Sequence, residues 1–250
     1  MKKISIFNEK GGSGKTTITM MLASYLAYSR KKRVCVLDFD APSYHLSEIR
    51  SSELSLLGDP RSQLSIWMKN HPSRQDPYDI FRVSPTEGDR PSVDDVLSIV
   101  GNVTAGPYDY LFYDFPGHFT EEEPVAYLAA NGFIDYVAIP MDTDRQSRLS
   151  AFIVAGALKG CGIPFCLFWN RASAQEEKGG RRLAIGAEPF RRSGMDLMEE
   201  RVRDLKMFSR DSSELAFIRS TLCFPDRYID LRSPSVIPFI ESLAHRIDSY

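Results

Sequence analysis

The sequence predicts a doubly wound α/β fold: a mostly parallel sheet with helices on both faces. Three observations carry that expectation. Short apolar strands without alternating polarity recur along the chain, as a parallel sheet buried on both sides requires. Segments with helical apolar spacing separate them. A glycine-rich run, Gly11-Gly12-Ser13-Gly14, stands directly between the first strand and the first helix.

Residues 4–7 read as the first strand and residues 16–28 as the helix after the glycine run, with Ile18, Leu22 and Leu26 on one stripe beside Met21 and Tyr25. Residues 33–39 form a second apolar strand that ends among Asp38 and Asp40. Residues 41–74 mix scattered leucines with a Gly58-Asp59-Pro60 turn and predict one or two helices. A strand at 80–83 precedes a helix over 92–100, where Ser92 and Asp95 have the spacing of a capping box. Residues 108–113 are a strong strand, 122–130 a helix, and 136–139 a strand expected to stop at Pro140. An amphipathic helix over 145–158 runs into Lys159-Gly160, and 165–169 is the last clear strand.

Beyond Asn170 the texture changes. Residues 172–190 are rich in Gly, Glu and Arg; 195–208 reads as a charged helix, 216–218 as a late strand and 236–250 as a final helix. No linker rich in Gly, Ser or Pro interrupts the chain, so one domain spanning 1–250 is expected.

With 43% apolar and 26% charged side chains over 250 residues, the composition excludes a disordered chain or a miniprotein dependent on disulfide staples. Lys plus Arg number 31 against 33 Asp plus Glu, so a formal charge of -2 exerts no global pull on nucleic acid or anionic lipid. Such a partner would have to meet a local patch. The 4 cysteines make no C-x-x-C pair and no cluster with His45, His71, His118 or His245, which argues against structural zinc and a disulfide framework. The N-terminal apolar run is short and broken by Ser5, and no stretch approaches the roughly 18 apolar residues of a membrane span. A soluble cytoplasmic protein is expected.

Residues 8–17 read Asn8-Glu9-Lys10-Gly11-Gly12-Ser13-Gly14-Lys15-Thr16-Thr17. Between a strand and a helix, such glycines let successive amides turn inward around phosphate oxygens, and the positive end of the helix adds to the field. Lys15 reaches the terminal phosphates, Thr16 stands where a magnesium ligand is needed, and Thr17 meets the inner phosphate. The strict phosphate-loop pattern fails only at its first glycine, which is Glu9 here. A turn that merely caps a helix explains the coincidence of strand, loop and helix less well. A dinucleotide fingerprint lacks its third glycine, and Lys15 suits a triphosphate better.

Carboxylates also gather at strand ends. Asp114 closes the apolar run Leu111-Phe112-Tyr113, a position from which it can hold magnesium through water. Asp38 ends the second strand and Asp40 is expected in its exit loop, with magnesium binding and water positioning as their roles.

Residues 10–17 resemble the deviant phosphate loop of the ParA/MinD family of dimerising ATPases, and the likeness covers most of residues 1–170. It implies a P-loop NTPase fold, ATP and Mg2+ as cofactors, and a homodimer completed by ATP. Lys10 becomes the lysine that crosses to the partner's nucleotide, and Lys15 the lysine that acts within its own subunit. Residues 36–40 resemble the first switch, although Ala41-Pro42-Ser43 departs from the usual continuation; Asp114-Phe115-Pro116-Gly117 resembles the second. Asn170 falls where the family recognises adenine, and Pro225 marks a weaker match to an adenine-side loop.

Within the family, the absence of interface cysteines disfavours iron-sulfur carriers. The final helix offers only His245 and Arg246 against Glu241 and Asp248, so packing against the domain is favoured over a MinD-like membrane anchor. Residues 178–193 carry Lys178, Arg181, Arg182, Arg191 and Arg192 against the single Glu188, a patch that fits either nonspecific DNA or a plain solvated face. With so short a segment before the first strand, the long form that carries its own operator-reading domain is not expected. The expectation is a short, Soj-like ParA ATPase, nucleoid-associated, that serves plasmid, chromosome or conjugative-element partition with a ParB-like stimulating protein. A membrane-positioning ATPase, a scaffold with little turnover and an ATP-dependent ligase remain as alternatives.

Overall fold

The computed structural model describes residues 1–70, 76–84, 92–117, 124–173, 180–202, 220–224 and 236–250. Six parallel strands, β1 (Lys2–Ile6), β2 (Val34–Asp38), β3 (Asp79–Arg82), β4 (Tyr110–Asp114), β5 (Tyr136–Met141) and β6 (Phe165–Trp169), make one sheet in the order β3-β2-β4-β1-β5-β6. The helices are α1 (Lys15–Ser24), α2 (His45–Gly58), α3 (Gln63–Asn70), α4 (Val93–Thr104), α5 (Pro124–Ala130), α6 (Arg145–Gly160), α7 (Arg181–Arg192) and α8 (Val236–Asp248). A π turn over Tyr25–Ser29 extends α1 and is closed by the Arg30 amide on the Tyr25 carbonyl.

The two-residue period of a strand divides each apolar run between two cores. Ile4, Ile6, Val34, Val36, Tyr110 and Phe112 face α1 and α8, whereas Phe7, Cys35, Leu37, Leu111 and Tyr113 face α4, α5 and α6. That parity also places the carboxylates. Asp38 and Asp114 lie opposite each other in the β2–β4 register, at the carboxyl edge from which the loop after β1 emerges. The capping box is present: the Asp95 amide donates to Ser92 Oγ and the Ser92 amide to Asp95 Oδ2.

Two expectations are corrected. β5 does not stop at Pro140 but runs through it to Met141. Pro140 lacks only the N–H that would point toward β1, and β1 has already ended, so its carbonyl accepts from the side-chain Nδ2 of Asn8 at 2.7 Å instead. Residues 195–202 are not helical. They run extended beside β6, with the Leu167 amide on the Asp196 carbonyl, Met198 on Leu167 and Val202 on Trp169. The backbone pairing offered by an uncovered sheet edge overrides the helical spacing of the side chains. Residues 203–208 of that expected helix, the strand at 216–218, Lys178 and Pro225 lie outside the described residues.

The final helix packs inward. Val236, Phe239, Ile240, Leu243 and Ile247 on α8 are buried, with the Phe239 ring 4.8 Å from that of Phe168. At about 2 kcal/mol per large apolar side chain, withdrawing this face to insert it elsewhere would cost on the order of 10 kcal/mol. Of the cysteines, Cys161 is exposed and Cys35, Cys166 and Cys223 are buried. Among the described residues no helix is long and apolar enough to cross a membrane.

Candidate functional site

The loop after β1 opens onto a cavity of about 360 Å³ lined by residues 11–17 together with Asp40, His45, Phe115 and Arg171. Asn8 sets the start of the loop. It is fully buried, donates to the Pro140 carbonyl, and accepts from the Lys10 amide at 3.1 Å and from Ser150 Oγ at 2.5 Å. Gly14 sets the end. It forms the N-cap of α1 with φ 89 and no side-chain cap, so the first-turn amides stay directed at the cavity.

Asn170 closes the loop from behind, its Nδ2 donating to the Ser13 carbonyl at 2.6 Å. A Cβ at position 14 would stand 2.3 Å from that nitrogen. Gly14→Ala is therefore expected to lose nucleotide binding and about 2 kcal/mol of stability, from left-handed strain and displacement of Asn170. Thermal melts with and without ATP check both effects. Asn170 thus lies against the loop's backbone, while the neighbouring Arg171, at φ 57, reaches the cavity.

Lys15 points along the loop with its Nζ 3.4 Å from the Lys10 carbonyl and is 7% exposed. Burial draws its ammonium below the ordinary lysine value, against the opposing pull of Asp114 and Asp40. An incompletely solvated cation at a ring of amides is prepared for an anion. Gly117 approaches from β4, where a Cβ would come within 3.1 Å of the Gly11 Cα and 3.3 Å of Lys15 Nζ. A side chain there would press on the phosphate loop and on Lys15 by a few tenths of an ångström.

Asp114 is fully buried, and its Oδ1 accepts from the Thr16 hydroxyl at 3.2 Å, while Oδ2 has no hydrogen-bond partner among the described residues. Burial, then the nearby Asp38 charge, pushes its carboxyl well above the usual range. A hydroxyl and a carboxylate with an unused oxygen, next to a phosphate cradle, are donors that fit a hard cation such as Mg2+. Asp38 is engaged otherwise. Its Oδ2 accepts from the Ser47 amide at 3.0 Å and the Ser47 hydroxyl at 2.7 Å, and its Oδ1 from the Asp40 amide at 3.2 Å. These bonds tie β2 to the start of α2 and oppose the upward shift that burial imposes on the Asp38 carboxyl.

Lys10 stands at the rim, part-exposed, and pairs with Asp144, the N-cap of α6, with Asp142 3.7 Å away. Hydrogen bonding from Asp142, then from Lys10, holds the Asp144 carboxyl below the usual range, and the Asp144 bond raises Lys10. Sequence reasoning missed Asn8, His45, Asp142 and Asp144 as parts of the site. The available signal was position: residues 142–144 follow β5 at the same sheet edge as the phosphate loop.

The family model of the CobQ/CobB/MinD/ParA nucleotide-binding domain matches residues 4–219, well past the limit read from the motifs. No curated protein matches the sequence. The fold is similar to MinD cell division protein of Aquifex aeolicus, at 18% identity and TM-score 0.62 over 100% of this chain and 98% of that one. It is also similar to a plasmid partition protein of Borrelia burgdorferi B31 bound to AMPPNP, at 18% identity and TM-score 0.56 over 99% and 98% of the two chains. An McdA variant of Cyanothece in complex with ATP shares 15% identity and a TM-score of 0.61 over 99% and 96%. With a motif, fold and family model that agree, the chain belongs to the CobQ/CobB/MinD/ParA nucleotide-binding domain family.

Proposed function

We propose that the protein is a magnesium-dependent ATPase of the ParA type, in which ATP closes two copies face to face and hydrolysis separates them. The observation that carries this reading is the cradle itself: Lys15 buried against the glycine-rich loop that lines the cavity, with Asp114 beside Thr16 and its second oxygen unpartnered among the described residues. Residues 11–17 bind the phosphates, Lys15 meets the transferring phosphoryl group, and Asp40 orients the attacking water. Thr16 and Asp114 would hold magnesium, which supplies charge neutralisation on the outer phosphates; Asp38 steadies the same edge through Ser47. Lys10, held at the rim by surface carboxylates rather than in the core, is placed to leave them for the partner's nucleotide.

The surface used is DNA rather than membrane. Arg181, Arg191 and Arg192 are exposed at the two ends of α7, about 16 Å apart at a helical rise of 1.5 Å per residue, with Arg192 bonded to Glu188 at 2.7 Å. The apolar face of α8 is already used in the core. Partition of a DNA element on the nucleoid, with a ParB-like stimulator, is the reading these features favour. Measuring ATP turnover with duplex DNA, with anionic vesicles and with neither tests it. Stimulation or ATP-dependent retention by DNA supports partition; a response to vesicles alone would favour a positioning ATPase, and no turnover under any condition a scaffold.

A further inference from the structure

The cavity contains a side-chain pair that the reading above leaves unused. His45, the first residue of α2, has its Nδ1 2.6 Å from Asp40 Oδ2, and both side chains line the phosphate-loop cavity. The contact is a hydrogen bond when the imidazole Nδ1–H donates and the carboxylate oxygen accepts. The backbone enforces the approach. Tyr44 adopts a left-handed conformation, φ 41 and ψ 50, rare for an aromatic residue, and its amide donates to the Asp40 carbonyl at 2.6 Å.

That turn is held from outside. The Tyr44 hydroxyl lies 3.3 Å from Ser84 Oγ, and the Arg82 guanidinium sits over its ring at 5.5 Å. Strained non-glycine backbone gathers where a side chain has to be aimed. Asp40 itself lies in the loop beyond β2, where no strand pairing fixes its rotamer; its backbone is tied at the amide, to Asp38 Oδ1, and at the carbonyl, by the Tyr44 amide, and neither bond holds the carboxylate.

We propose that His45 is a positioning residue for Asp40: by donating to one carboxylate oxygen, it fixes the rotamer that presents the other to the attacking water. This rests on the hydrolytic reading of the site. The His45 side chain is 65% exposed and that of Asp40 22%; if the contact were only a surface pair, removing it would change nothing in turnover. A pair that aims the water-orienting group should act on kcat and spare ATP binding.

The experiment compares full-length wild type, His45→Ala, His45→Asn and His45→Gln in steady-state ATP hydrolysis with duplex DNA present. The Asn amide nitrogen reproduces the place of Nδ1, whereas that of Gln falls near Nε2. His45→Ala is expected to lower kcat about tenfold or more with KM within about twofold, as a misaimed catalytic group does. His45→Asn should recover most of the loss and His45→Gln little. In Asp40→Asn, adding His45→Ala should cost nothing further, because the two act as one unit.

A kcat for His45→Ala within about twofold of wild type, or equal behaviour of the Asn and Gln variants, overturns the proposal while leaving the ATPase reading intact. Absence of turnover in wild type would remove that reading instead. A nitrogen-15 spectrum of the histidine rings gives an independent readout: the His45 signal should show the Nδ1–H tautomer and lose it in Asp40→Ala. An Nε2–H tautomer in wild type overturns the proposal without any reference to activity.

Discussion

Lys15→Ala is expected to leave a folded protein that no longer binds ATP. The residue is only 7% exposed, and the loss of solvation outweighs the pull of Asp114 and Asp40, so its charge is incompletely compensated until phosphate arrives. Binding then restores the solvation that burial removed, so the contact is worth more than an exposed lysine on a phosphate. Removing it should weaken affinity for a nonhydrolysable ATP analogue at least about a hundredfold, close to 3 kcal/mol. Folding should survive, because the substitution also removes a cation that is costly to bury. Calorimetric titration alongside a thermal melt checks both; unchanged affinity in a folded variant would contradict the role assigned to Lys15.

Asp114→Asn is expected to separate activity from stability. The native carboxyl is buried against Asp38 with one oxygen unpartnered, an arrangement that destabilises the apo protein by about 1–3 kcal/mol relative to a satisfied group. Its folded-state pKa lies above the unfolded value, so it withdraws stability as pH rises from the ordinary carboxylate range through that raised pKa, and the full cost is present above it. The amide keeps an acceptor for Thr16 and removes the charge. The melting temperature at neutral pH should therefore rise, while ATP turnover falls about a hundredfold or more for want of the anionic oxygen. Magnesium should raise the melting temperature of the nucleotide-loaded wild type and leave that of the variant unchanged. Turnover equal to wild type would contradict the assignment.

What could be read in the residues followed from how local each feature is. The loop from Lys10 to Thr17 is contiguous, and Asp114 is marked by the apolar run that ends in it, so strand period and motif spacing together locate both. The two-core sheet was equally legible, because a short β-branched run such as Val34-Cys35-Val36-Leu37 without polar alternation suits a strand buried on both faces. Contacts across the fold were not. That Asn170 lies under Gly14, that Asp144 receives Lys10 and that Asp38 is occupied by Ser47 depend on which loops meet at the sheet edge. Residues 195–202 were misread for the same reason: their helical spacing is visible in the sequence, and the open edge of β6 that they pair with is not.

Sedimentation velocity of the wild type and of Lys10→Ala, each with ADP and with a nonhydrolysable ATP analogue, tests the switch itself. Both proteins are expected to be monomers with ADP; with the analogue the wild type should dimerise, whereas Lys10→Ala should bind the analogue but stay largely monomeric. Equal dimer fractions for the two proteins, or a wild type that remains monomeric with its triphosphate bound, would contradict that switch.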